Sequence, residues 1–163
     1  MLVVRLVVFA IAVTLATACG ASKKEVTVAR EATYTGDAAA IFQVVADTVA
    51  AKYELQAADP VARSVTTAPR WYRQDGSYDY REDDTFSREV KDHHPFVQLS
   101  YVVMMSAGPP FQIDVSPRVV DRVHWNHTQS FVTPPGPLPG WIQERADELA
   151  VEIHRRLRRF ETH

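Results

Sequence analysis

Six histidines and one cysteine are the side chains of this 163-residue chain best suited to metal or nucleophilic chemistry. His93-His94 and His124-x-x-His127 are the only histidine groupings. Zinc needs three or four imidazole, thiolate or carboxylate ligands converging on one point. Side chains alternate between faces along a strand, so neither grouping converges by local geometry, and a site would require the two loops to meet. The favoured reading is exposed loop histidines and no metal, with His93, His94, His124 and His127 as the ligands if one is held. Asp75, Asp79, Glu82, Asp83 and Asp84 crowd one short stretch with Tyr78 and Tyr80, an oxygen-rich run of the kind that can hold calcium. The EF-hand spacing of glycine and glutamate is missing, and a solvated hairpin tip that discourages edge pairing explains the same residues.

Nucleophilic and phosphate chemistry leave no trace. There is no Gly-x-Ser-x-Gly elbow, no His-Glu-x-x-His, no phosphate-binding loop and no dinucleotide glycine fingerprint. The expectation is a protein that is not an enzyme and carries no cofactor. The aromatic residues are more informative. Trp71, Tyr78, Tyr80 and Trp125, with Tyr72 and Trp141 beside them, would form a partner-binding patch wherever they lie outside the core. Arg155, Arg156, Arg158 and Arg159 could meet acidic lipid head groups, but cations at a helix C-terminus are equally expected on dipole grounds.

Composition narrows the class. The chain is 46% hydrophobic and 23% charged, which is globular, and its length suits one domain. A net charge of −2 argues against nucleic acid as a partner, which would call for a strongly basic face. One cysteine excludes an intramolecular disulfide framework and a multi-cysteine zinc site.

That cysteine sits at the end of a recognisable leader. Arg5 precedes a short apolar run from Leu6 to Leu15, followed by small residues and then Cys19. The run is shorter than the ~20 apolar residues that span a bilayer, and the pattern is that of an export signal. Leu15-Ala16-Thr17-Ala18-Cys19 resembles the lipobox of bacterial lipoproteins, with Ala16 where the commonest form has leucine. The resemblance implies cleavage before Cys19, diacylglyceryl transfer to its sulfur, and a membrane anchor of more than one acyl chain. An ordinary secretory peptide cut after Ala18, leaving a free thiol, is the alternative. Residues 1–18 are then the signal peptide, residues 19–24 a lipid-anchored tether and residues 25–163 a single domain. In that family Gly20, in place of Asp, implies delivery to the outer membrane, facing the periplasm.

The elements that must position any site read as follows. Alternation over Glu25 to Tyr34 predicts a strand. Asp37 is an N-cap for an amphipathic helix from Ala38 to Tyr53, closed off by Asp59-Pro60. Val61 to Arg73 predicts one strand, bulged or at an edge because of Pro69. Asp75-Gly76-Ser77 is a turn, and Tyr78 to Tyr80 with Phe86 to Lys91 an interrupted strand. Phe96 to Met105 is the best strand, with Val97, Leu99, Tyr101, Val103 and Met105 on one face. Phe111, Ile113 and Val115 alternate with polar residues in a further strand, bent at Pro117 and prolonged towards Trp125. The stretch 133–140 holds four prolines and is a stiff connection. Ile142, Ala146, Leu149, Ile153, Leu157 and Phe160 then mark a second amphipathic helix.

The order β-α-β-β-β-β-α predicts a two-layer α+β sandwich, an antiparallel sheet of four to five strands packed by two helices. This layout on a lipoprotein resembles the helix-grip modules of the C component of the β-barrel assembly machinery, chiefly in the path from Asp59-Pro60 through Thr66-Thr67 to Trp71. The expected function is a membrane-anchored envelope lipoprotein with a non-enzymatic interaction or scaffolding domain, its partner an envelope protein or complex. The alternative is a periplasmic lipoprotein that binds a small ligand or a metal.

Overall fold

A computed structural model describes residues 21–73, 75–78, 96–124, 127–129 and 139–162, with only the backbone described for Phe96 and for residues 121–124 and 127–129. The fold is α+β: helices pack on one face of an antiparallel sheet. The described helices are α1 (Lys23–Glu31), α2 (Ala38–Ala50) and α3 (Gly140–Leu157), the last continued by a 3-10 turn at Arg158–Phe160. The strands are β1 (Leu55–Asp59), β2 (Ser64–Thr67), β3 (Arg70–Tyr72), β4 (Phe96–Met105), β5 (Ile113–His124) and β6 (His127–Gln129). They run in the order β1-β2-β4-β5-β6, with β3 also pairing β4.

The first element departs from expectation. Lys23–Glu31 is a helix rather than a strand, and it absorbs the end of the supposed tether. A capping box starts it: the Ser22 hydroxyl accepts from the Glu25 N–H, and the Glu25 carboxylate accepts from the Ser22 N–H at 3.0 Å. The helix then packs on α3, burying Ala29, with Arg30 paired to Asp147 at 2.5 Å and Glu25 to Arg155 at 2.7 Å. Extended backbone appears only afterwards, at Tyr34. Its N–H donates to the Phe111 carbonyl, its carbonyl accepts from the Phe111 N–H, and it bridges Glu161 on the other side.

The Asp37 cap is present, its carboxylate accepting from the Ala39 N–H at 3.0 Å. Helix α2 ends at Ala50, short of Tyr53, and the chain turns directly into β1. At the β1–β2 turn the Asp59 carboxylate accepts from the Val61 and Ala62 N–H groups, and Arg63 closes it at a φ of 52°. The stretch Val61 to Arg73 is two short strands rather than one. They pair with opposite ends of β4, β2 with Val102–Met104 and β3 with Val97–Leu99. Across the gap, the Thr67 hydroxyl takes over the ladder's role and accepts from the Tyr101 N–H at 2.9 Å.

Strand β4 matches its expected bounds, and Val97, Leu99, Tyr101, Val103 and Met105 are all buried against the helices. Strand β5 runs unbroken through Pro117, which sits opposite Tyr101. Proline is tolerated because, among the described residues, β6 covers the far flank of β5 only at Arg122–His124, leaving no ladder bond for Pro117 to lose. The core is closed by Ile41, Val45 and Val49 of α2 and by Ile142, Leu149, Ile153 and Leu157 of α3. Among the described residues no helix is long and apolar enough to cross a membrane.

Candidate functional site

His93 and His94 lie outside the described residues, and of His124 and His127 only the backbone register is defined, which sets them opposite each other across the β5–β6 pair. Among the described residues no group of three or more histidine, cysteine, aspartate or glutamate side chains could hold an ion. Asp75 serves its turn: its carboxylate accepts from the Ser77 N–H at 2.9 Å and the Ser77 hydroxyl at 2.7 Å, contacts that lower its pKa. Asp79, Tyr80, Glu82, Asp83, Asp84, Trp125 and Cys19 lie outside the described residues.

The aromatic candidates divide. Successive residues of β3 face opposite ways, so half-buried Trp71 is on the side of the sheet away from the helices while Tyr72 enters the core. Tyr78, 37% exposed, bridges back to Tyr72, and their ring centroids are 5.9 Å apart. Trp141, in the first turn of α3, lies 5.7 Å from Tyr72. Gly76 makes this possible, since at its φ of 84° the backbone passes so close that a Cβ would sit 2.8 Å from the indole.

Two arginines complete the cluster. Arg70 stacks over the rings of Tyr53 at 5.2 Å and Tyr78 at 5.5 Å, and donates to the Lys52 carbonyl at 3.2 Å. Arg145, one helical turn after Trp141, stacks over Tyr72 at 5.0 Å and donates to the Gly76 carbonyl at 2.6 Å. Tyr101 closes the inner side, its ring 5.0 Å from that of Tyr53. Its hydroxyl is fully buried and has no hydrogen-bond partner among the described residues. The Tyr53 hydroxyl is close enough to influence it but lies outside hydrogen-bonding geometry. Burial pushes the hydroxyls of Tyr53, Tyr72 and Tyr101 up in pKa, and the charges of both arginines partly offset that for Tyr53 and Tyr72. These phenols therefore stay protonated at neutral pH and keep an O–H to donate.

Sequence reasoning found Tyr78 and weighed Tyr72 and Trp141. It missed Tyr53, Arg70, Tyr101 and Arg145. One signal was present: Trp141 and Arg145 are four residues apart and share a helix face.

At the other end of the sheet, an open groove of about 700 Å³ runs between the β1–β2 turn and the β4–β5 loop, lined by Arg30, Val61, Arg63, Met104 and Gln112 among others. Both of its arginines are committed. Arg63 donates to the Ser106 and Ala107 carbonyls and stacks on Phe111, while Arg30 is paired with Asp147. Three of the four C-terminal arginines are similarly engaged: Arg155 with Glu25, Arg156 with Glu152 at 3.2 Å, and Arg159 over Phe160. No protein-family model matches this chain, and no curated protein matches it.

Proposed function

We propose that this chain is a membrane-anchored envelope lipoprotein whose α+β domain is a non-enzymatic docking module for an envelope protein or complex. Lipid on Cys19 would hold it at the outer membrane, facing the periplasm. The observation that carries the docking reading is the cluster of Tyr53, Arg70, Tyr72, Tyr78, Trp141 and Arg145. Tyrosine, tryptophan and arginine are the side chains from which interface hot spots are built: the two aromatics offer a large area with few rotamers to freeze, and arginine a planar fork of donors. Here they are already ordered by mutual stacking, which lowers the entropic cost of association. Docking suits them better than catalysis, since buried phenols held in the protonated form are poor nucleophiles and poor bases.

A photo-crosslinker at Tyr78 in the lipidated chain, followed by mass spectrometry of membrane-derived adducts, tests this reading. One envelope protein, captured reproducibly from Tyr78 and not from a crosslinker at Val61 in the opposite groove, is the expected result. Indistinguishable background from both positions overturns it. Anchoring is tested separately: Cys19→Ser should abolish incorporation of a clickable fatty acid and release the chain from membranes.

A further inference from the structure

The geometry points to a carboxylate seat in this cluster: an acidic side chain on the docking partner, gripped by the guanidiniums of Arg70 and Arg145 and by the Tyr53 hydroxyl. The inference rests on the docking reading and names the chemistry of the partner.

The first support is a count of donors. A guanidinium has five N–H groups. Arg70 commits one described hydrogen bond, to Lys52, and Arg145 one, to Gly76. Elsewhere Arg30, Arg155 and Arg156 each pair with an acid. Arg70 and Arg145 have no carboxylate within ion-pair distance among the described residues; tyrosine rings hold them instead. Two planar cations, fixed in place with most donors uncommitted, match a planar anion with two oxygens. They also run against the chain's overall charge of −2.

The second support is the Tyr101 hydroxyl, fully buried, without a hydrogen-bond partner among the described residues, and near enough to Tyr53 to be influenced by it. A buried donor left unmet is unfavourable, and structures rarely keep one without a reason. Tyr53 supplies the reason. When its hydroxyl donates to an incoming carboxylate, its oxygen becomes a stronger acceptor, and Tyr101 can donate to it. Tyr101 is then a positioning residue that acts through Tyr53, and its buried hydroxyl gains a partner in the bound state.

The test uses the full lipidated chain in detergent micelles, titrated with a glutamate-rich peptide and, separately, with inorganic phosphate. The arginine Nε–Hε resonances are the readout. Saturable peptide-dependent shifts of two arginine signals are expected. Peptide affinity should fall about tenfold or more in Arg70→Gln and in Arg145→Gln, as for loss of a charge-assisted bond, and be retained in Arg118→Gln on the outer sheet face. Arg145→Lys, which keeps a charge and a donor for the Gly76 carbonyl, should recover part of the affinity if Arg145→Gln also loosens the turn. Tyr101→Phe should weaken peptide binding while leaving the unbound chain as stable as before or more so, which a purely structural hydroxyl would not do. No saturable shift, affinity unchanged from the parent chain in either glutamine variant, or phosphate binding without peptide binding overturns the inference. If Tyr78 crosslinks persist while peptide binding is absent, the carboxylate seat fails and the docking reading stands; loss of both removes both.

Discussion

Gly76→Ala isolates the turn on which the cluster depends. A left-handed backbone costs an alanine about 1–2 kcal/mol, and Gly76 has a φ of 84°. The new methyl would also lie 2.8 Å from Trp141 Cδ2 and 2.9 Å from its Cγ, so the indole or the turn must move. Overpacking of that kind costs about 1–3 kcal/mol. The two effects partly share one relaxation, so a loss of about 2–4 kcal/mol is expected rather than the full sum. At about 2–4 °C per kcal/mol for a domain near this size, Tm should fall by about 5–15 °C. Gly108→Ala is the matched control, since nothing lies within 4 Å of its added Cβ. Its effect should stay within about 0.5 kcal/mol. The assay is thermal and urea denaturation of both variants beside the parent chain. A Gly76→Ala protein as stable as Gly108→Ala would refute the approach of the turn to Trp141, and the assembly of the cluster with it.

Three further outcomes are expected. Tyr34→Phe removes the hydroxyl that contacts buried His154 Nδ1 at 3.1 Å, and leaving that ring nitrogen unmet should cost about 1–3 kcal/mol in urea denaturation; an unchanged midpoint would show the contact to be idle. Thr67→Val, nearly isosteric, strips the acceptor from the Tyr101 N–H and should cost a similar ~1–3 kcal/mol, whereas Thr67→Ser should be milder because it keeps the oxygen. Glu25 is held down from 4.5 to about 2 by the Arg155 guanidinium and by the Ser22 N–H and hydroxyl. A depressed folded-state value means its contribution is present above 4.5 and is lost as the pH falls toward about 2. The parent chain should therefore lose stability relative to Glu25→Gln across that interval, and a constant gap between the two would contradict the linkage.

Legibility followed the range of the signal. Strict alternation from Phe96 to Met105 and the 3.6-residue recurrence from Ile142 to Leu157 report geometry within one element, so strand and helix were found where expected. Glu25 to Tyr34 misled because Val26 and Val28 mimic period two, while Ser22-x-x-Glu25, a capping box readable in the sequence, went unweighed. Val28 is in fact 42% exposed, and the small residue Ala29 makes the buried contact. Strand β1 was missed because Leu55–Asp59 carries almost no buried side chain; pairing with β2 creates it.

The sequence by itself determined the elements that announce themselves over a few residues: the α+β class, the buried face of β4, the Asp37 cap and the Asp75-Gly76-Ser77 turn. These depend on local dihedrals and on side-chain period, which neighbouring residues set together. Tertiary structure alone decided that Tyr53, Arg70, Tyr72, Tyr101 and Arg145 share one cluster, and which arginines meet an acid and which meet a ring. Those outcomes depend on strand register and on where α3 lies over the sheet. A shift of a single residue in register would turn Tyr72 away from the helices and disperse the cluster.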